Sequence, residues 1–495
     1  MSTGATTALP DGLDVLLIDG DLAAASGGGT FETTNPATEE VLGAAADGTA
    51  ADMDAAIGAA RSAFDEGTWA ADPVFRARCL RQLRDALQAD GEAMRALTTA
   101  EVGAPTFLTS GPQFDIPVED LGWYADLAES YDGWRTDLGE ATPVGVRSQR
   151  WVLREPAGVV GAITPWNFPH QINFAKIGPA LAAGCTVVLK PAPDTPWCAS
   201  AIARVAAERT DLPPGVLNVV TSSDHTLGAQ LAGDPRVDVV SFTGSTATGR
   251  AVMRTAAEHI TKVFLELGGK SAFVMLDDAD VAAAAGMAAF MAATHAGQGC
   301  AITTRLLVPA SLHDEVVDAA AATMAGLAAG DPNEPGTICG PVISERQRAR
   351  IESYLQLARD EGATFAAGGG RSERFERGWF IDPTLVVGLD NSSRVAREEI
   401  FGPVLTVISH TGDDDAVRIA NDSPYGLSGA VFSADEERAL AVAGRIRTGT
   451  IGVNGGVWYS ADVPFGGYKQ SGIGREMGVA GFEEYLETKS IAIAR

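Results

Sequence analysis

Positive charge is in short supply in this chain. Lysine and arginine total 37 against 64 aspartates and glutamates in 495 residues, a formal charge of −27. Such a surface disfavours nucleic acid, whose binding rests on neutralising phosphates with cations. It disfavours an anionic membrane face for the same reason. The acidity itself names no partner, since a solvated surface accounts for it. Long apolar runs are also missing. The longest, VAAAAGMAAFMAA at 281–293, is too short to span a bilayer and is bounded by Asp280 and His295. The opening MSTGATTALPDG lacks the basic and apolar regions of a secretory signal. Cysteine is scarce: Cys79, Cys185, Cys198, Cys300 and Cys339 are an odd set without metal-type spacing. Reduced thiols in a cytoplasm are therefore expected, with no metal, no membrane and no nucleic acid.

What is present suits a globular protein of two or three domains, with 46% hydrophobic and 20% charged residues. From about residue 157, short apolar runs alternate with longer helical ones. AGVVGAIT (157–164), CTVVLK (185–190), GVLNVV (215–220), VDVVSFTG (237–244) and KVFLEL (262–267) read as five strands. Helical segments separate them, so a parallel sheet covered on both faces is predicted. A second alternating series runs from TRLLVP (304–309) to GTIGVN (449–454). PVGVRSQRWVLREP (143–156) and ETKSIAIAR (487–495) lie outside both series and read as exposed strands, which need pairing, either with each other or across subunits. Residues 1–140 read as mostly helical.

Six stretches could carry chemistry, each with an ordinary alternative. AGQGCAITTR (296–305) surrounds Cys300 with small residues; a small core thiol is the alternative to a reactive one. In FTGSTATG (242–249), Gly244 and Ser245 turn a strand into a helix, a potential anion site or a plain tight turn. Glu266 in LELGGKSA ends an apolar strand, as a paired structural charge or as a base raised by burial. Asn167 in TPWNFPHQ offers an amide to an oxyanion, or caps a turn. Lys190 in VVLKPAPDTP ends a strand where it could meet ribose or phosphate, or only solvent. REEIFGPV places Phe401 and two acids at a rigid turn that would be unremarkable as a surface loop.

In combination and in this order, these stretches resemble the aldehyde dehydrogenase superfamily, of the NAD(P)-dependent hydrolytic type, along nearly the whole chain. The resemblance rests on PWNFP (165–169), KPAPDTP (190–196), FTGST (242–246), LELGGKS (265–271), GQGC (297–300), EEIFGPV (398–404) and PFGGYKQSGIGRE (464–476). It implies an α/β fold: a Rossmann-like cofactor domain at 1–133 and 158–266, a second α/β catalytic domain at 267–477, and small β oligomerisation strands at 134–157 and 478–495. A homodimer or homotetramer would follow.

The resemblance makes Cys300 the nucleophile. Its tetrahedral adduct with an aldehyde would be held by Asn167 and the Cys300 backbone N–H, and Glu266 would be the base that hydrolyses the thioester. Lys190 would hold the adenosine ribose, Gly244, Ser245 and the Trp166 region the pyrophosphate, Glu399 the nicotinamide ribose, and Phe401 the nicotinamide itself. Glu476 matches a position linked to proton relay. Phe168, His170, Ile172, Phe174, Trp458, Tyr459 and Phe465 would line the substrate tunnel, so an apolar or aromatic aldehyde is expected. NAD is the expected cofactor, with NADP possible. Three other readings compete. A CoA-acylating relative would usually lack Glu266. A non-catalytic binding protein would lose Cys300, Asn167 or Glu266. A cysteine hydrolase would need His295 or His170 as base.

The chain departs from many NAD-using relatives at Pro193, where they carry glutamate. A carboxylate there would accept from ribose hydroxyls and repel a 2′-phosphate, and proline does neither. NAD is thus expected to win by only about 10–200-fold in kcat/KM. Pro193→Glu should widen that ratio by penalising NADP, and an unchanged ratio would refute this reading of position 193.

Overall fold

The computed structural model describes residues 8–495. Its first sheet has eight strands in the order Gly472–Ile473, Lys262–Glu266, Val239–Thr243, Val159–Ile163, Thr186–Lys190, Leu217–Val219, Leu16–Ile18 and Asp21–Ala23. The five predicted strands form its parallel centre. Numbered along the chain, they run 3-2-1-4-5 across the sheet, as in a Rossmann-like half. Both faces are covered, and the packing explains the unbroken apolar runs. Val187 and Leu189 enter one core, built with helices such as Pro73–Ala89 and Pro169–Ala183. Val188, between them, enters the other, built with Ala50–Glu66 and Thr226–Gly233.

The second sheet is also mostly parallel, in the order Thr364–Ala367, Thr384–Val387, Val404–His410, Thr303–Pro309, Ser271–Met275, Gly429–Phe432 and Gly452–Val453. It begins earlier than the expected start at 304, because Ser271–Met275 is one of its central strands. The two exposed segments pair with each other. Leu486–Ala494 lies antiparallel to Ser148–Pro156 over nine residue pairs, and Arg135–Ala141 completes a three-stranded sheet. Between them and the body, Gly478–Glu483 is helical.

Two sequence expectations need correction. Of residues 1–140, the described ones, from 8 on, are helical only in part: Leu16–Ile18, Asp21–Ala23, Thr30–Thr34 and Val41–Ala46 are strands, as is Arg135–Ala141. The first sheet also extends beyond five strands. At one edge Leu16–Ile18 adds antiparallel to Leu217–Val219, and at the other Gly472–Ile473 adds antiparallel to Lys262–Glu266. No described helix is long and apolar enough to cross a membrane.

Helix Pro169–Ala183 orients the site. Proline at its first position starts it, and Gly184, at φ 96°, ends it. Lys176 on this helix is fully buried, and its ammonium bonds Glu476 at 2.5 Å and Ser241 Oγ at 2.8 Å. This pair ties the helix to the end of the PFGGYKQSGIGRE segment. Removing one partner of a buried pair strands the other charge. Lys176→Met should therefore lower stability by about 3–5 kcal/mol in urea unfolding. Adding Glu476→Leu should restore most of the loss, and an unaltered midpoint in the single variant would contradict the argument.

Candidate active site

A cavity of about 950 Å³ opens where Val159–Ile163 and Val239–Thr243 lie side by side. The connections from these neighbours leave in opposite directions, which makes a crevice at the carboxyl ends of the strands. The first strand leads into Thr164, Pro165, Trp166 and Asn167 on the cavity wall, the second into Gly244 and Ser245. The second α/β unit supplies the opposite wall: Cys300, Arg346, Gln347, Arg350, Glu399 and Phe401.

The cavity wall fits a dinucleotide. Ser245 caps helix Thr246–Ala256, its Oγ accepting from Thr248 N–H, so the helix start presents partial positive charge to the space. A side chain at Gly244 would strike the Phe242 ring. Lys190 is buried, and among the described residues its ammonium reaches only its neighbour's carbonyl, Pro191 O, at 3.5 Å. Burial lowers its pKa to about 8. Trp166 meets Phe401 edge to face at 5.4 Å. Phe401 itself holds a left-handed φ of 62°, a conformation uncommon outside glycine. The Glu399 carboxylate accepts from Gly269 N–H at 3.0 Å and lies over Gly268, where any Cβ would collide with it. Burial raises Glu399 to about 7.

The thiol loop is built by close backbone approach. His295, Ala296 and Gly297 have φ of 52°, 51° and 70° in succession. A Cβ at Gly297 would collide with Gly402 O, and one at Gly269 would lie 2.6 Å from Cys300 O. Ile302 folds back against Gly299. The Asn167 amide donates one proton to Gln298 O at 2.8 Å, which fixes it beside the loop and leaves the second proton free. Glu266 is 2% exposed, and neither carboxylate oxygen has a hydrogen-bond partner among the described residues. Burial first, then Glu476, pushes its pKa well up, against the opposing pull of Lys176 and Arg475. Cys300 is pushed up by the same cause, burial, then by Glu266, Glu399 and Glu476. The charged groups acting on the thiol are thus all acidic and oppose the thiolate, and only the Ala301 backbone N–H works the other way.

The cavity gathers Trp166, Asn167, Ile172, Lys190, Gly244, Ser245, Glu266, Cys300, Glu399 and Phe401. It does not reach the other proposed tunnel residues. Trp458, Tyr459 and Phe465 instead pack with Cys300, Leu427 and Met477, and Trp458 stacks on Phe465 at 5.4 Å. Phe168 lies against the ring of His295. His170 is fully buried between Phe114 and Phe174, and burial lowers its pKa to about 3. His295 is engaged by Asn167 O at 2.9 Å and is lowered to about 4. Both histidines are thus engaged elsewhere, and neither is bonded to Cys300. Arg346, Arg350, Gln347, His225 and Tyr425 also line the cavity, and the sequence motifs do not single them out. Arg346, Gln347 and Arg350 share the first turns of helix Glu345–Asp360, while His225 and Tyr425 lie on other segments, and no motif in the sequence joins the three places.

Two open α/β units closing on one thiol form a known architecture. A crystal structure of betaine aldehyde dehydrogenase from Staphylococcus aureus, in complex with NAD+, superposes with a TM-score of 0.93 at 37% identity, covering 97% of this chain and 94% of that one. The chain belongs to the aldehyde dehydrogenase family, whose model matches residues 23–491. It is 43% identical over 460 residues to geranial dehydrogenase of Castellaniella defragrans, covering 92% and 94% of the two chains. It is 38% identical over 483 residues to betaine aldehyde dehydrogenase 1 of Oryza sativa subsp. japonica, covering 96% and 94%.

A thiol raised by burial reacts through a small thiolate fraction. In the ligand-free protein, carbamidomethylation of Cys300 should accelerate about tenfold per pH unit between about pH 6 and 9. Peptide mass spectrometry follows it directly. A plateau below about pH 8 would mean that the thiolate is already formed.

Proposed function

We propose that this protein oxidises an apolar or aromatic aldehyde to its carboxylic acid with NAD, and with NADP as a usable alternative. The observation that carries the reading is the meeting of Cys300, Glu266 and Asn167 at one end of a dinucleotide-sized cavity, with an apolar wall behind the sulfur.

The Cys300 thiolate attacks the aldehyde carbon, forming a C–S bond and leaving negative charge on the former carbonyl oxygen. The free Asn167 amide proton and the Cys300 backbone N–H stabilise that charge. The bound dinucleotide, held by Lys190, Ser245, Glu399 and Phe401, supplies the hydride acceptor. Loss of hydride from the adduct leaves an acyl thioester on Cys300. Glu266, once deprotonated, takes a proton from water, the hydroxide attacks the thioester carbon, and the C–S bond breaks. The carboxylic acid departs and Cys300 is restored. An unpaired, buried carboxylate suits Glu266 to this role, because a base raised by burial works close to neutral pH. Its presence also favours water over CoA as acyl acceptor.

On the substrate, the stacked Trp458 and Phe465, with Tyr459, Leu427 and Met477, support an uncharged tail, as does the geranial-oxidising relative. One observation favours a second reading, an aldehyde with a cationic tail. Asp120 is raised to about 7 by burial and by its acidic neighbours Glu119 and Asp462, and its charge acts on Tyr459. An ammonium beside it would find both an anion and aromatic faces.

Stopped-flow absorbance of reduced nicotinamide tests the mechanism. Glu266→Gln should release about one equivalent per site and then turn over about 10²–10⁴-fold more slowly; Cys300→Ala should release none. An unchanged steady state in Glu266→Gln would refute its role. In an aldehyde panel, benzaldehyde or a medium-chain aldehyde should exceed succinic semialdehyde in kcat/KM. Betaine aldehyde as the best substrate would instead select the cationic reading.

A further inference from the structure

The cavity has a reactive end and a far end. Cys300, Glu266 and Asn167 mark the first, so a bound dinucleotide must place its nicotinamide there. On that dinucleotide reading, on which the present inference rests, the adenosine half falls at the end lined by Lys190, Pro193, Asp194, His225, Gly228 and Ala229. At this end, residue 193 offers neither charge nor acceptor, and the carboxylate next to it, Asp194, is largely buried at 19% side-chain exposure. Burial raises the Asp194 pKa, while Arg346 and His225 oppose the rise.

Arg346 reaches this end from the other α/β unit. It is the second residue of helix Glu345–Asp360, whose start is fixed by Ser344 accepting from Gln347 N–H. The neighbouring polar groups of that helix are committed. Gln347 donates to Ile400 O and Phe401 O, and Arg350 donates to Ile400 O and Glu399 O. Arg346 is not: its side chain is 74% exposed, and its closest approach is 3.7 Å from Asp194 Oδ1. That separation is an ion pair without a hydrogen bond. Among the described residues, its guanidinium has no hydrogen-bond partner. A planar fork with unused N–H donors, on the rim of the adenosine end, matches the geometry of a phosphate. On a chain with a charge of −27, such an anion finds little general attraction, so a local cation decides.

We propose that Arg346 is the residue that recognises the 2′-phosphate of NADP in this protein. With NAD, Arg346 stays beside Asp194, whose carboxylate is left to face the ribose hydroxyls. With NADP, the guanidinium turns from Asp194 to the phosphate. Acceptance of NADP thus comes from a side chain of the catalytic unit lying across the cleft from position 193.

Equilibrium binding tests this without turnover. Quenching of tryptophan fluorescence, with Trp166 in the cavity wall, gives dissociation constants for NAD and NADP. Arg346→Ala should raise the ratio of the NADP constant to the NAD constant about 10–100-fold. Asp194→Asn, which removes the competing anion, should lower that ratio. Tight binding of NAD with a ratio unmoved by Arg346→Ala overturns the proposal alone. Binding of neither dinucleotide by the unaltered protein overturns the dinucleotide reading and this proposal with it. Arg346 is too exposed to be needed for folding, and an unchanged circular dichroism spectrum establishes that the variant is comparable.

Discussion

The active centre depends on backbone coming closer to backbone than side chains allow. Three loops from two different sheets converge on the thiol. Gly297 abuts the carbonyl of Gly402, Gly269 lies under the carbonyl of Cys300, and Gly268 lies under the Glu399 carboxylate. Gly466 does the same for Glu266. At Gly297 and Gly269 a Cβ would meet backbone, which cannot give way, so a methyl group there would force the loops apart; at Gly268 and Gly466 it would displace a carboxylate. The loop before the thiol also holds two non-glycine residues, His295 and Ala296, in left-handed conformation. Such strain costs on the order of 1–3 kcal/mol per residue and persists only where the surroundings enforce it. Here they do: His295 N–H is bonded to Ile338 O, and its ring to Asn167 O.

The second organising feature is a division among buried charges. Lys176 and Glu476 are fully matched, with Ser241 and Thr243 completing their shell. They hold structure. Three charges facing the cavity are left poorly matched among the described residues: Glu266 has no hydrogen-bond partner, Lys190 has a marginal one, and Glu399 is bonded through one oxygen to Gly269. Unmatched burial moves all three toward neutrality. The same dry environment that suppresses their charge would strengthen their interactions with a bound polar group.

Much of this was legible in the sequence, for a specific reason. Strands buried on both faces are apolar throughout, so Val159–Ile163 and Thr186–Lys190 stand out without further context. The motifs at their ends then fall at the mouth of the crevice by topology alone. The N-terminal strands were hidden because edge strands such as Asp21–Ala23 and Thr30–Thr34 are short and half exposed, with polar residues that give no periodic signal. Ser271–Met275 was masked by the glycines and glutamate just before it, which read as a site and not as the approach to a strand. Arg346 was illegible because its significance lies in Asp194, 152 positions away on another sheet's connection. The set of tunnel residues was only partly recovered, since a residue's neighbour in a motif can point into a different core, as His170 does beside Ile172.

The strand that carries Glu266 has a consequence for how the protein is made. Its outer edge is closed by Gly472–Ile473, with Leu265 opposite Ile473, 208 positions later in the chain. Ser471 adds a bond to Leu267 N–H and another to Gly268 O. On a ribosome adding about 5–20 residues per second, that edge waits roughly 10–40 s for its partner. Through this interval the nascent sheet displays an open, apolar strand to everything around it, the condition under which chains pair with the wrong neighbour. Glu266 is thus among the last parts of the site to be secured, and a growing chain cannot acquire the complete centre before its second unit is nearly finished.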